Sequence, residues 1–174
     1  MEYIDIYNEN NEPMNIKMER EEAHTKGMWH REILIVVVNE KNEVLLQKRS
    51  YKRRYLPGKW ALCAGHIQSG ETEKQAAIRE LVEELDMKIY QKDLEFIEIY
   101  KKNGHANRKI SYVYLARTNM KLDEYTIQED ELTDLKYIHI DELIKITKED
   151  DKTLAFGGDK YHLDLFNKIK DNII

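Results

Sequence analysis

"GHIQSGETEKQAAIRELVEELDM", Gly65 to Met87, carries the reading of this chain. A turn around Gly65 and Gly70 leads into a helix that opens near Glu73. Thr72 is placed to cap it, and Gln75, three residues on, to return the hydrogen bond. At about 100° per residue, Ile78, Leu81, Val82 and Leu85 gather on one side, with Glu80, Glu83 and Glu84 roughly opposite. The expected helix therefore docks its apolar side on a sheet and turns its carboxylates away from it. Like charges three and four apart repel by roughly 0.2–0.5 kcal/mol per pair. Such crowding calls for a wet face or a cation.

Immediately upstream the charge reverses. Between Val44 and Gly70 there is no acidic residue, while Lys48, Arg49, Lys52, Arg53, Arg54 and Lys59 all fall there. By itself such a basic segment reads as a solvated loop; feeding an acidic helix, it also reads as a phosphate grip beside a metal site. Tyr3–Tyr7 and Met14–Met18 flank "NENNEP" as a small hairpin, and an acidic patch, Glu19 to Glu22, precedes "AHTKGMWH". Ile33–Val38, "ILIVVV", is continuously apolar and β-branched, as a strand buried on both faces should be. "NEKN" turns it into a strand at Val44–Gln47, and "YLPGKW" is a loop. Downstream, strands are expected around Leu94–Lys101 and Lys109–Ala116, joined by "NGHANR". Asp141 is expected to cap a short helix through Ile146. Leu163, Phe166, Ile169 and Ile173 give a C-terminal amphipathic helix. Strands and helices mix without strict βαβ alternation, which points to an α/β fold with helices on a mixed sheet.

A length of 174 residues suits one domain spanning 1–174. The single cysteine, Cys63, excludes an internal disulfide and makes a reducing cytoplasm the expected location. The opening "MEYIDIYNEN" carries acids where a secretory leader carries bases, and "ILIVVV" is far too short to span a bilayer. A net charge of −5 argues against general nucleic-acid or anionic-membrane partners.

Taken together, Gly65, Glu71, Arg79-Glu80-Leu81, Glu83-Glu84 and Asp86-Met87 closely resemble the Nudix box, G-x5-E-x7-R-E-U-x-E-E-x-G-U with U apolar. Eight of its nine specified positions agree; Asp86 stands where the family has glycine. That position ends the helix in a left-handed turn, which Asp adopts less freely than glycine, at a small cost in stability. The resemblance implies an α/β/α Nudix sandwich with a mixed β-sheet. It also implies hydrolysis of a diphosphate linkage in a nucleotide-like or other small organic substrate with Mg²⁺ or Mn²⁺. Glu80, Glu83 and Glu84 would be the metal carboxylates, helped by the backbone carbonyl of Ala64. Arg79 and Glu71 would pair to hold turn and helix in register. Hard divalent cations take oxygen ligands and neutralise the diphosphate charge that otherwise repels water.

"REEAHTKGMWHREILIVVVNEKNEVLLQKRS", "LPGKWALCAGHIQSGE" and "YVYLART" resemble the Nudix branch related to isopentenyl-diphosphate isomerase. The isomerases bind a metal through three histidines and two glutamates, and use a cysteine and a glutamate on the alkene. His24, His30 and His66 sit near the histidine positions. Two residues separate Cys63 from His66 where the isomerase pattern has one. The isomerase glutamates before "YVYLART" would fall on Asn107 and Lys109. The nearly complete box also favours the hydrolase group, with the isomerase and a non-catalytic ligand-binding Nudix domain as alternatives. Cys63 is then a buried core residue. Lys48, Arg49, Arg53, Arg54 and His66 are the candidate substrate-binding residues, and His24 and His30 order the loop or line the pocket. By resemblance of "QEDELTDLKYIHIDEL", Glu131 is the candidate general base, ahead of Glu129.

Overall fold

The computed structural model describes residues 1–104 and 108–173. Its strands are β1 (Tyr3–Tyr7), β2 (Pro13–Glu19), β3 (Trp29–Val38), β4 (Glu43–Arg49), β5 (Trp60–Ala61), β6 (Cys63–His66), β7 (Leu94–Asn103), β8 (Arg108–Arg117) and β9 (Leu132–His139). The α-helices are α1 (Arg20–Thr25), α2 (Glu73–Leu85), α3 (Ile140–Lys148) and α4 (Lys160–Ile173). The result is a mixed α/β fold with a nine-stranded sheet, as expected of a Nudix fold. Three of the six residues of the expected "NGHANR" turn, 105–107, lie outside the described residues. Among those residues, no helix is long and apolar enough to cross a membrane.

The chain forms two compact units, each made of three segments. The first comprises Met1–Ile35, Ala64–Glu80 and Ile89–Tyr114. Its hairpin is the one expected: β1 and β2 pair antiparallel from Tyr3↔Glu19 to Ile6↔Ile16, with a bulge after Ile6. β1 then meets β3 at Ile6↔His30 and Tyr7↔Trp29. Ile4 and Ile6 are fully buried with Ala23 of α1, and Met18 and Met28 pack against them. The patch read as merely acidic is therefore the start of a helix. Glu19 caps it by accepting the Glu22 N–H at 3.0 Å, and Ala23 gives it an apolar anchor.

The second unit comprises Val36–Cys63, Leu81–Lys88 and Leu115–Ile174. β4 is its central strand, paired antiparallel with β9 from Glu43↔His139 to Arg49↔Leu132 and with β5 at Gln47↔Ala61 and Lys48↔Trp60. β9 was not foreseen as a strand. Its burial pattern is patchy rather than alternating, so its period-2 signal is weak, and the pairing with β4 supplies the order. His139, not Asp141, caps α3: its Nδ1 accepts the Asp141 N–H at 3.3 Å. Leu165, Phe166 and Ile169 of α4 are buried, and the Phe166 ring meets that of Phe156 edge-on at 5.3 Å.

α2 begins as expected. Thr72 Oγ1 accepts the Gln75 N–H at 3.3 Å, and Gln75 Oε1 accepts the Thr72 N–H at 2.9 Å. At its other end Asp86 is left-handed, φ 51°, and its N–H bonds the Val82 carbonyl at 2.9 Å. The buried arc differs from the expectation. Val82 is 38% exposed, whereas Glu84 is 7% exposed. Ala76 and Ala77 are fully buried, and Ala77 sits two turns before Glu84 on nearly the same side of the helix. These small residues extend the covered arc toward Glu84, so not every carboxylate faces away.

Candidate active site

In the first unit, Arg79 gathers the upstream half of the box. Its guanidinium donates to both oxygens of Glu71, at 2.7 and 3.0 Å, to Glu80 Oε1 at 2.6 Å and to the His66 carbonyl at 2.9 Å. A planar guanidinium suits such a fork. The Gln68 N–H adds a 3.0 Å bond to Glu71. Burial pushes the Glu71 pKa up, but the Arg79 and Gln68 hydrogen bonds outweigh it and leave the value lowered. Gly65 is required by space: a Cβ there would lie 2.1 Å from the Glu80 carboxyl. β6 approaches α2 so closely there that a side chain at this position would displace the Glu80 carboxyl.

In the second unit, Glu84 has different company. Gln47 on β4 donates its amide N–H to Glu84 Oε2 at 2.8 Å, and the Cys63 thiol donates to the same oxygen at 3.4 Å. Burial raises the Glu84 pKa, opposed by these two bonds; the nearby Glu131 charge raises it further and the Arg49 charge lowers it. With both hydrogen-bond donors neutral and Arg49 acting only through its charge, this buried carboxylate is incompletely compensated. Glu83, the box's other glutamate on this last turn, is exposed. Sequence reasoning overlooked Gln47. The signal was an amide inside the apolar run "VLLQ", which must find a partner when buried.

The basic segment does not act as one surface. Arg53 makes an ion pair with Glu131. Arg49 donates from Nε to the Tyr55 carbonyl at 3.0 Å, and burial, then the Arg53 charge, lowers its pKa. Lys48 points elsewhere, with its ammonium 5.7 Å from the Trp60 ring, which Lys136 approaches to 4.3 Å. A register shift between Lys48 and Arg49 separates the two groups. Arg54 is exposed, its guanidinium 5.3 Å from the Tyr55 ring. Thus Arg49, Arg53, Glu131, Glu84, Gln47 and Cys63 form the coherent polar set of this unit, and Lys48 stands apart from it.

His24, His30 and His66 form a second cluster, within the first unit. Their ring nitrogens lie within 4.8 Å of one another, and His24 Nε2 meets His66 Nε2 at 3.0 Å. His30 Nδ1 donates to the Met28 carbonyl at 3.0 Å, which leaves its buried Nε2 as a lone pair without a hydrogen-bond partner. Burial lowers the pKa of all three, most for His66, which keeps them neutral. Neutral imidazoles in this arrangement suit a transition metal. Of the two positions where the resemblance would put isomerase glutamates, Lys109 pairs with Glu32 at 2.7 Å and Asn107 lies outside the described residues. His66, expected to bind substrate, lies with the other two histidines, and its carbonyl accepts from Arg79.

A model of the NUDIX domain matches residues 28–156. An uncharacterized Nudix hydrolase of Clostridium acetobutylicum is 33% identical, covering 83% of this chain and 73% of the relative. An isopentenyl-diphosphate Delta-isomerase of Pectobacterium atrosepticum is 32% identical, covering 79% of this chain and 76% of the relative. The NUDIX domain of Shewanella oneidensis NrtR, solved with ADP ribose, superposes with a TM-score of 0.63 at 19% identity, covering 84% of this chain and 89% of that one. The chain belongs to the Nudix family, in the branch that includes isopentenyl-diphosphate isomerase-like proteins.

Proposed function

We propose that this Nudix domain, acting as one unit over residues 1–174, is a divalent-cation-dependent hydrolase of a diphosphate linkage in a nucleotide-like or other small organic substrate. The observation that carries the reading is Glu84: a box carboxylate, 7% exposed, hydrogen-bonded only by neutral donors among the described residues. Such a group is held in a form that attracts a cation, and its donor chemistry suits Mg²⁺ or Mn²⁺. Glu80 and Glu83 on the same helix, with the Ala64 carbonyl, complete the proposed ligand set. When bound, the cation neutralises phosphate charge and activates water.

The remaining work falls to the chain. Arg79 and Glu71 hold the turn against the helix, so that Glu80 stays in place. Arg49 and Arg53 bind phosphate oxygens of the substrate through paired N–H groups. Glu131 accepts the proton of the attacking water. The water oxygen bonds to phosphorus as the P–O bond to the bridging oxygen breaks, leaving two phosphate-bearing products or one product and inorganic phosphate. A cytoplasmic location and a small-molecule partner belong to the same reading.

The histidine cluster and the Pectobacterium relative favour a second reading, isopentenyl-diphosphate isomerase. Against it, Cys63 is 3% exposed with its thiol directed at Glu84, and Lys109 falls where the resemblance would put an isomerase glutamate. One assay separates the two: phosphate and pyrophosphate release with Mg²⁺ or Mn²⁺ from nucleoside diphosphates, triphosphates, nucleotide sugars and dinucleotides, with isopentenyl diphosphate analysed for isomer. Release from a nucleotide that Glu84→Gln abolishes supports the hydrolase. Isomer formation without release overturns it, and ligand-induced stabilisation without turnover indicates a binding module.

A further inference from the structure

Resting on the hydrolase reading, we infer that Gln47, seconded by Cys63, is a positioning residue that sets Glu84 for the cation. Gln47 lies inside β4 with strands on both sides, opposite Ala61 of β5 and Leu135 of β9. Its backbone is therefore fixed by two ladders. Its side chain is 3% exposed, next to Leu45 and Leu46 in sequence. An amide there is costly unless its hydrogen bonds are made. The bond it makes, 2.8 Å to Glu84 Oε2, goes to the one box carboxylate that is itself buried. Cys63, on β6, adds its thiol to that same oxygen at 3.4 Å.

Two donors thus converge on Oε2, filling its lone pairs, and among the described residues no hydrogen bond reaches Oε1. The carboxylate is pinned by one oxygen and presents the other. Both donors are neutral, and this decides the chemistry. A lysine or arginine in place of Gln47 would hold the carboxylate equally well but cancel its charge; an amide holds it and leaves the charge for the cation. Groups that orient a metal ligand by hydrogen bonding typically change metal affinity 10–100-fold when removed.

The test uses the full chain with Mn²⁺ alone as probe, its dissociation constant read by electron paramagnetic resonance, beside the melting temperature without metal and steady-state rates. Gln47→Leu is expected to weaken Mn²⁺ roughly 10–100-fold and to lower kcat with KM little changed. Should Gln47→Leu fail to fold, Gln47→Met, which keeps length and flexibility, makes the same comparison. Cys63→Ser keeps a donor and is expected to hold Mn²⁺ within about threefold, whereas Cys63→Ala shows a partial loss. If a folded Gln47 variant binds Mn²⁺ like the wild type while Glu84→Gln loses it, Gln47 is structural only and this inference falls. If Glu84→Gln also binds Mn²⁺ normally, the metal reading itself falls.

Discussion

The two halves of the Nudix box use carboxylates in opposite ways. Glu71 and Glu80 meet the Arg79 guanidinium, and the Glu71 pKa is lowered. Glu84 meets an amide and a thiol, and its pKa is raised. On the proposed reading Glu71, with both oxygens on Arg79, serves structure, Glu80 meets Arg79 and the cation together, and Glu84, held by neutral donors, keeps its charge for the cation. The motif alone writes Glu71 and Glu84 with the same letter. Their surroundings differ, and the proposed function gives Glu71 the register and Glu84 the chemistry.

The comparison breaks most sharply at Glu84. Glu84→Gln is expected to lower metal-dependent hydrolysis roughly a thousandfold or more, with circular dichroism and melting temperature near those of the wild type. Near-normal turnover in a folded protein would place the cation elsewhere. At Gly65, adding a methyl group pushes into the Glu80 carboxyl. Gly65→Ala is therefore expected to reduce kcat/KM about 10–100-fold, and an unaltered rate would show that Glu80 need not hold its position.

Arg79 probes the structural half through stability. Arg79→Met removes hydrogen bonds to Glu71, Glu80 and the His66 carbonyl, and is expected to cost about 2 kcal/mol in urea unfolding. Its pH dependence follows from the lowered Glu71 value. A carboxyl depressed in the folded state stabilises fully above its unfolded value of 4.5 and loses that stabilisation as pH falls through the folded value. The wild type is thus expected to lose its advantage over Arg79→Met in acid. A constant difference down through that window would remove the ion pair as its cause. The smallest effect is at the helix end: Asp86→Gly relieves a left-handed φ of 51° and is expected to stabilise by about 0.5–1 kcal/mol. Thermal unfolding that moves down instead would mean that the Asp86 side chain contributes more than the turn costs.

The local features were legible because near neighbours in the chain determine them. The Thr72–Gln75 cap, the β1–β2 hairpin, the β-branched centre of β3 and the left-handed residue after α2 all follow from residues a few positions apart. The box spacing also places Arg79 where it reaches Glu71, two turns upstream on the preceding turn segment. What stayed hidden depends on partners distant in sequence. β9 exists through its ladder with β4, some ninety residues away in the chain. His24, His30 and His66 meet because tertiary packing brings α1, β3 and β6 together.

Sequence by itself thus determined the family and the sheet-and-helix class, and named the carboxylates on which the proposed function rests, because a motif fixes residue types at spacings that a helix converts directly into geometry. Only the tertiary structure decided which arc of α2 is covered. Periodicity gives the angle between two side chains but not which surface will lie over them, and Ala77 counts for little in an apolar pattern while fitting readily against a neighbour. That covering buries Glu84, exposes Val82 and brings Gln47 to Glu84. No spacing along one chain segment predicts a hydrogen bond between residues 37 positions apart; it depends on where the strands and the helix come to rest.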